Sequence, residues 1–364
     1  QFWSNDDCQQ VEENCMSVVI ETMPPVPTRP WRNSKATGMR NLLAIALALI
    51  CGGAINQVTG LSGFLGLFVG TAFLFPVFIA LANAKRGANV VADRIASAVI
   101  AVGFIAVTIP WLSIFITVFQ KGSEAFHSSY LTDDMRITPS GDDLQYGGIA
   151  HAIVGTMLMV LVATVISVPF GIIAAVYIVE VKGRFAGLIR FLVQAMSGVP
   201  SIVAGLFVYS TVVIAFGGFS AWAGAIALSI LMLPTVARTS EEVLKLVSVD
   251  LRTSSAALGA TQARTVFTVV IPTVASGLIT AAVLGVARVV GETAPLILTS
   301  SYFVATSTNL NDPIASLPIY IFSSLGLGDQ NATARAWGGA LVLLGLVFFF
   351  FLLTRLFSSR IKRK

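Results

Sequence analysis

Residues 148–179 read GIAHAIVGTMLMVLVATVISVPFGIIAAVYIV, a run without a single Asp, Glu, Lys or Arg. A bilayer core is about 30 Å thick, and at about 1.5 Å of rise per residue roughly 17–25 apolar residues cross it as a helix. The run is long enough, and seven other stretches are predominantly apolar: 42–58, 61–82, 95–119, 188–216, 221–236, 266–290 and 336–357, of which 188–216, 266–290 and 336–357 each hold one arginine. The first two form a hairpin around Thr59 and Gly60. The expected fold is therefore all-α and membrane-integral, a polytopic helix bundle.

Composition points the same way. Of 364 residues 55% are hydrophobic and 11% charged, and the mean hydropathy is +0.84. Soluble domains carry about 25% charged residues, so most of this surface must face lipid. The net charge of +5 does not indicate nucleic acid, because the basic residues are scattered over loops and no patch interleaves with aromatics. Cys8, Cys15 and Cys51 offer neither a disulfide framework nor metal spacing, and His127 and His151 alone cannot supply a haem or zinc site. Gly63, Gly66 and Gly70 fit ordinary helix packing.

Residues 1–41 differ from the rest. An acidic head with Asp6, Asp7, Glu12, Glu13 and Glu21 is followed by Pro24, Pro25, Pro27 and Pro30 and by the basic residues Arg29, Arg32, Lys35 and Arg40. Such a segment is expected to be disordered. Alternate loops then place Lys85, Arg86, Arg94, Lys182, Arg184, Arg190, Arg238, Lys245, Arg252, Arg264 and the basic tail 358–364 on one side. The other side carries Glu124, Asp133, Asp134, Asp142 and Asp143 against Lys121 and Arg136, and residues 300–334 without Lys or Arg. Positive loops lie inside, so both termini are expected in the cytoplasm. His151, near the outer end of its span, reads as an interfacial polar residue.

The loop 238–264 alternates apolar and charged residues and fits two short amphipathic helices; on pattern alone it could also lie on lipid. Gly259 is followed thirteen residues later by Pro272, with Val269 and Ile271 between them. That spacing resembles the EAA loop of ABC-importer permeases, in which Glu-Ala-Ala, three residues, Gly, nine residues and Ile-x-Leu-Pro succeed one another. Thr253, Ser254 and Ser255 stand where Glu-Ala-Ala would, so the acidic start is missing here. The resemblance implies that this loop docks on a separate ATPase, with Ala256, Ala257, Gly259 and Pro272 in the coupling element and Glu241 or Glu242 as substitute carboxylates. Pro272 favours a bend in the span that it opens.

Residues 287–296, ARVVGETAPL, are similar to the Ala-Arg-x-x-Gly-Glu-Thr-Ala-Pro-Leu signature of the PstA family, permeases of the phosphate-specific transport system. Residues 200–209, PSIVAGLFVY, and 313–318, PIASLP, with Ile321 and Phe322, resemble further stretches of that family. The resemblance covers 95 to the C-terminus. It implies six core transmembrane helices of the type-1 ABC importer permease kind, spanning 95–357, with the N-terminal hairpin 42–82 outside them. It further implies a multi-pass protein of the bacterial cell membrane. The partners implied are a second homologous permease (PstC type), a pair of ATPase subunits (PstB type) and an extracytoplasmic phosphate-binding protein (PstS type). ATP and Mg would sit on the ATPase, since this chain has no Gly-x-x-x-x-Gly-Lys-Ser/Thr run.

The residues themselves argue for an anion. Arg288 follows more than twenty apolar and small residues, and an arginine at a helix centre costs about 2.5–3.5 kcal/mol to insert. Glu292 is one helical turn on, expected on the same face, and Pro295 is expected to end the helix. One reading is an internal Arg–Glu pair that lowers the insertion cost; the other gives phosphate oxygens the planar guanidinium, with Glu292 moderating its grip. Gly291 and Thr293 leave backbone and hydroxyl groups for a cavity, and Arg238 is a second candidate on the path. A proton-coupled anion carrier, or an importer of the same architecture for molybdate, a sugar or an amino acid, stays open at this point.

Overall fold

The computed structural model describes residues 35–59, 64–84 and 87–361, and among them every regular element is helical. The acidic and basic head before Lys35, residues 60–63 where the hairpin turn at Gly60 was expected, the pair Lys85 and Arg86 and the last three residues lie outside the described residues. In chain order the helices are α1 Lys35–Thr59, α2 Phe64–Asn83, α3 Ala88–Ser123, α4 Ala150–Val181, α5 Ala186–Ser197, α6 Ser201–Phe216, α7 Ala221–Lys245, α8 Val249–Ala257, α9 Gln262–Thr273, α10 Ala275–Val290, α11 Ala294–Ile297, α12 Leu317–Gly326 and α13 Gln330–Ile361.

In length and composition α2, α3, α4, α7 and α13 can cross a bilayer, and two bent pairs, α5 with α6 and α9 with α10, raise the number to seven. The apolar part of α1, Asn41–Gln57, is shorter. Two expected single spans are therefore broken. Between α5 and α6 the axis turns by 103°. Pro200 lacks an N–H and its ring bars Val199 from helical geometry, so the chain restarts at Ser201 with Pro200 extended (φ −59°, ψ 138°). Between α9 and α10 the turn is 73°, and it falls at Val274 (φ −107°, ψ 14°), two residues beyond Pro272.

A third correction concerns α7. The expected span ended at Val236 with a loop from Arg238, yet the helix runs on to Lys245 because residues 237–245, ARTSEEVLK, contain no breaker. Arg238, Glu241 and Glu242 are thus helical, and the loop proper starts at Leu246.

Contacts divide the chain into two units, Gln1–Trp111 and Leu112–Lys364, with the boundary inside α3. In the first, α1 and α2 cross where Gly52 meets Gly70; a Cβ on Gly52 would stand 3.0 Å from the Thr71 nitrogen. Small residues let membrane helices approach this closely. In the second, α4, α7 and α10 enclose a core of Met159, Ala163, Leu228, Met232, Val236 and Val289. Gly171 on α4 and Gly285 on α10 both leave room for Val236 of α7. Away from that core, α4 leaves Leu161, Val165 and Phe170 exposed, a surface suited to lipid.

Candidate functional site

Arg288 occupies the last turn of α10, not the centre of a helix as expected. Helix C-termini present unpaired carbonyls, so a cation is favoured there. Its Nη1 donates to Thr235 Oγ1 on α7 at 3.1 Å. Gly291 ends the helix, and Pro295 lies in the first turn of α11 instead of closing α10. Glu292 consequently sits beyond the helix, half-buried, its amide donating to Val289 O at 3.2 Å. The expected one-turn pairing fails for this reason: among the described residues no ion pair joins Arg288 to Glu292.

Arg288 is exposed, as are Thr280 and Leu284 on the same stripe of α10. Arg238 is exposed on α7, one turn on from Thr235, and Thr293 is half-buried. The Arg288–Thr235 bond thus brings the exposed guanidinium of α10 to the turn of α7 that carries Arg238, a polar and cationic stretch beside the apolar core. Lipid would penalise two open arginines there, so the face suits a water-lined path or a second protein.

The two quoted motifs meet behind this face. Gly205, in the middle of the 200–209 stretch on α6, packs on Pro295 of the 287–296 signature; a Cβ on Gly205 would lie 2.6 Å from Pro295 Cα. Any larger side chain would push α11, and with it the break that carries Glu292 and Thr293.

At the far end of α7 the carboxylates separate. Glu241 is buried, and its Oε1 accepts from Arg190 Nε of α5 at 3.1 Å and from Lys245 Nζ at 3.0 Å. This internal cluster removes Glu241 as a free carboxylate for a partner. Glu242 remains exposed, paired with Lys245 at 2.9 Å. The loop then forms α8, with Ala256 and Ala257 exposed, and turns at Gly259, whose φ of +80° is left-handed backbone that suits glycine. Pro272 is exposed in the last turn of α9.

The opposite loops hold a cluster that the sequence reading passed over. Arg335, in the early turns of α13, is fully buried. Its Nη2 donates to the carbonyls of Asp142 and Asp143 at 3.2 and 2.9 Å, and its Nη1 approaches Met135 Sδ at 3.8 Å. Tyr130 is buried beside it and donates to Arg335 O at 3.3 Å; burial pushes the Tyr130 phenol up. His151 is buried too, edge-on to Tyr302 and Tyr320, which corrects its expected interfacial position. Desolvation pulls the Asp134 carboxyl upward, but amide donors at Thr306 and Arg136 more than offset it and hold the group below its ordinary 3.8. Among the described residues no group of three or more His, Cys, Asp or Glu could hold a metal.

Residues 167–363 match the family model described as "Binding-protein-dependent transport system inner membrane component". The chain is similar to the phosphate transport system permease protein PstA of Haemophilus influenzae, 37% identical over 255 residues, or 69% of this chain and 89% of that protein. It is 44% identical over 207 residues to phosphate transport system permease protein PstA 1 of Mycobacterium tuberculosis, covering 55% and 67% of the two chains. Among solved structures, a chain of the MetNI methionine ABC transporter in an inward-facing form aligns at a TM-score of 0.48 and 20% identity, over 59% of this chain and 94% of that one. The family match takes in α8, the break at Val274, the Arg288 signature and most of the bundle, so the chain belongs to the inner membrane components of binding-protein-dependent transport systems.

Proposed function

We propose that this chain is the permease subunit that forms half of the translocation path of an ATP-driven importer of inorganic phosphate. The observation that carries the reading is Arg288: exposed on a membrane helix, bonded only to a hydroxyl, and in no ion pair with a carboxylate among the described residues. A guanidinium offers two parallel N–H donors to a tetrahedral oxyanion, which a lysine ammonium does not. Thr235 orients it, and Arg238 extends positive potential along α7. The relatives named as phosphate permeases, 36–44% identical to this chain, support the same substrate.

The open face of α7 and α10 is completed by a second, homologous permease of the PstC type. A pair of PstB-type ATPases, holding ATP and Mg, docks on the loops that carry α8, with Glu242, Ala256, Ala257 and Gly259 on the exposed side. A PstS-type binding protein delivers phosphate on the other side. Both termini then lie in the cytoplasm. ATPase closure drives alternating access, and no catalytic residue is needed on this chain.

The test is uptake of labelled phosphate by vesicles bearing the assembled complex, with ATP inside and with sulfate, molybdate and arsenate as competitors. Competition by arsenate alone is expected. Uptake displaced by molybdate or sulfate, or uptake that survives ATP removal and collapses with the proton gradient, would overturn the assignment.

A further inference from the structure

Helix α8 buries none of its residues. Val249, Arg252 and Ala256, spaced along one side of it, line a cavity of about 630 Å³ together with Ile178, Val247 and Val266. Such a space, half open to solvent, leaves α8 little packed contact with the spans, so a push on α8 travels best where something stiff crosses it.

One side chain does. Arg252 donates through Nε and Nη2 to both oxygens of Glu180, at 3.1 Å to Oε2 and 2.6 Å to Oε1. Its Nη2 also donates to Leu244 O at 3.0 Å, and its Nη1 to Val247 O and Ser248 O. The Glu180 carboxylate is 7% exposed and sits on the last turn of α4, while Leu244 belongs to the last turn of α7. A single guanidinium thus ties α8 to the ends of two core spans. Charge-assisted bonds in a bidentate fork are short and directional, so they resist both stretching and rotation. A second, weaker tie runs alongside: Gln262 Nε2 donates to Glu180 O at 2.6 Å, and Ser255 shares a hydrogen bond with Thr265 at 2.8 Å.

We propose that Arg252 and Glu180 are the positioning pair through which movement of α8 reaches α4 and α7, and so couples the ATPase to the path at Arg288. The proposal rests on the reading of α8 as the ATPase-docking helix. It gives the missing acidic start of the loop a physical counterpart: residues 253–255 hold no carboxylate, and the charge that anchors α8 comes from α4 instead.

The experiment uses the assembled complex in liposomes, with phosphate uptake and ATP hydrolysis measured on the same vesicles. Arg252→Gln and Glu180→Gln are each expected to retain the ATPase subunits on co-purification while phosphate moved per ATP falls about tenfold. The exchange Arg252→Glu with Glu180→Arg is expected to restore the ratio to within about threefold of the starting complex. A ratio changed by less than about twofold in both single variants, or an exchange no better than the singles, overturns the proposal. Loss of the ATPase subunits in both singles also overturns it, since the pair would then be a requirement of the fold. If the unsubstituted complex hydrolyses ATP and moves no phosphate, the transport reading fails, and that outcome is distinct from these.

Discussion

Arg288 and Arg335 are the same residue type in similar surroundings of sequence, each a lone cation at the edge of an apolar run, and the fold uses them in opposite ways. Arg335 is sealed in, with two main-chain carbonyls and a sulfur around it. Arg288 is open, with one bond to Thr235. A fully buried guanidinium that gives Nη2 to two main-chain carbonyls is out of reach of a ligand; it pins residues 135–143 to α13. An exposed guanidinium on a membrane helix is what the proposed phosphate path calls for.

The contrast can be broken most directly at Arg335. Arg335→Ala leaves carbonyls unpaired and a cavity, a combination worth about 4 kcal/mol, so the thermal transition of the detergent-solubilised protein should drop sharply. Arg288→Gln should leave that transition in place and lower phosphate uptake about a hundredfold, equivalent to about 2.7 kcal/mol. Arg288→Lys should recover little, because a point charge does not reproduce the fork. If instead Arg335→Ala were stable and Arg288→Gln unfolded, the two roles would be reversed.

Gly205→Val asks whether the site depends on what lies behind it. Its Cβ meets Pro295 at 2.6 Å, and overpacking of this kind costs about 1–3 kcal/mol. Uptake should fall along with stability in this variant, and a variant with full uptake would detach α11 from the path. The smallest effect concerns Asp134. Its pKa is lowered in the fold, so it contributes stability that is present above the unfolded value and is lost as the pH falls through the folded one. Thermal scans from about pH 5 to pH 3 should show that loss, and Asp134→Asn should flatten it.

Much of the architecture is legible because charges are excluded from a bilayer: the runs without Asp, Glu, Lys or Arg mark α4, α7 and α13 with little else needed. Bends are harder. Pro200 and Pro272 both interrupt apolar runs, yet one breaks the axis at its own position and the other two residues later, since neighbouring helices decide where the strain is released. Arg288 stands out through its isolation, but Thr235 lies 53 residues earlier and is one hydroxyl among many. The inward turn of Glu241 was within reach. Once α7 is allowed to continue, Ala237, Glu241 and Leu244 share one face of it and all are buried, while Glu242 points elsewhere. Arg335 was passed over because it sits one residue before the point where the last apolar run seemed to begin.

Among the described residues three stretches wind wider than an ordinary helix: Tyr177–Val181, Tyr209–Val213 and Val266–Val270. Tyr177–Val181 contains Glu180, Val266–Val270 follows α8 in the chain, and both line the space beside α8. A wide turn houses one residue more than the regular spiral requires. Shortening the chain by that spare residue would let the turn close into a regular one, with the segments on either side keeping their setting. At these two places the loss of one residue has somewhere to be absorbed, so the fold should tolerate a one-residue deletion there better than in the regular turns alongside.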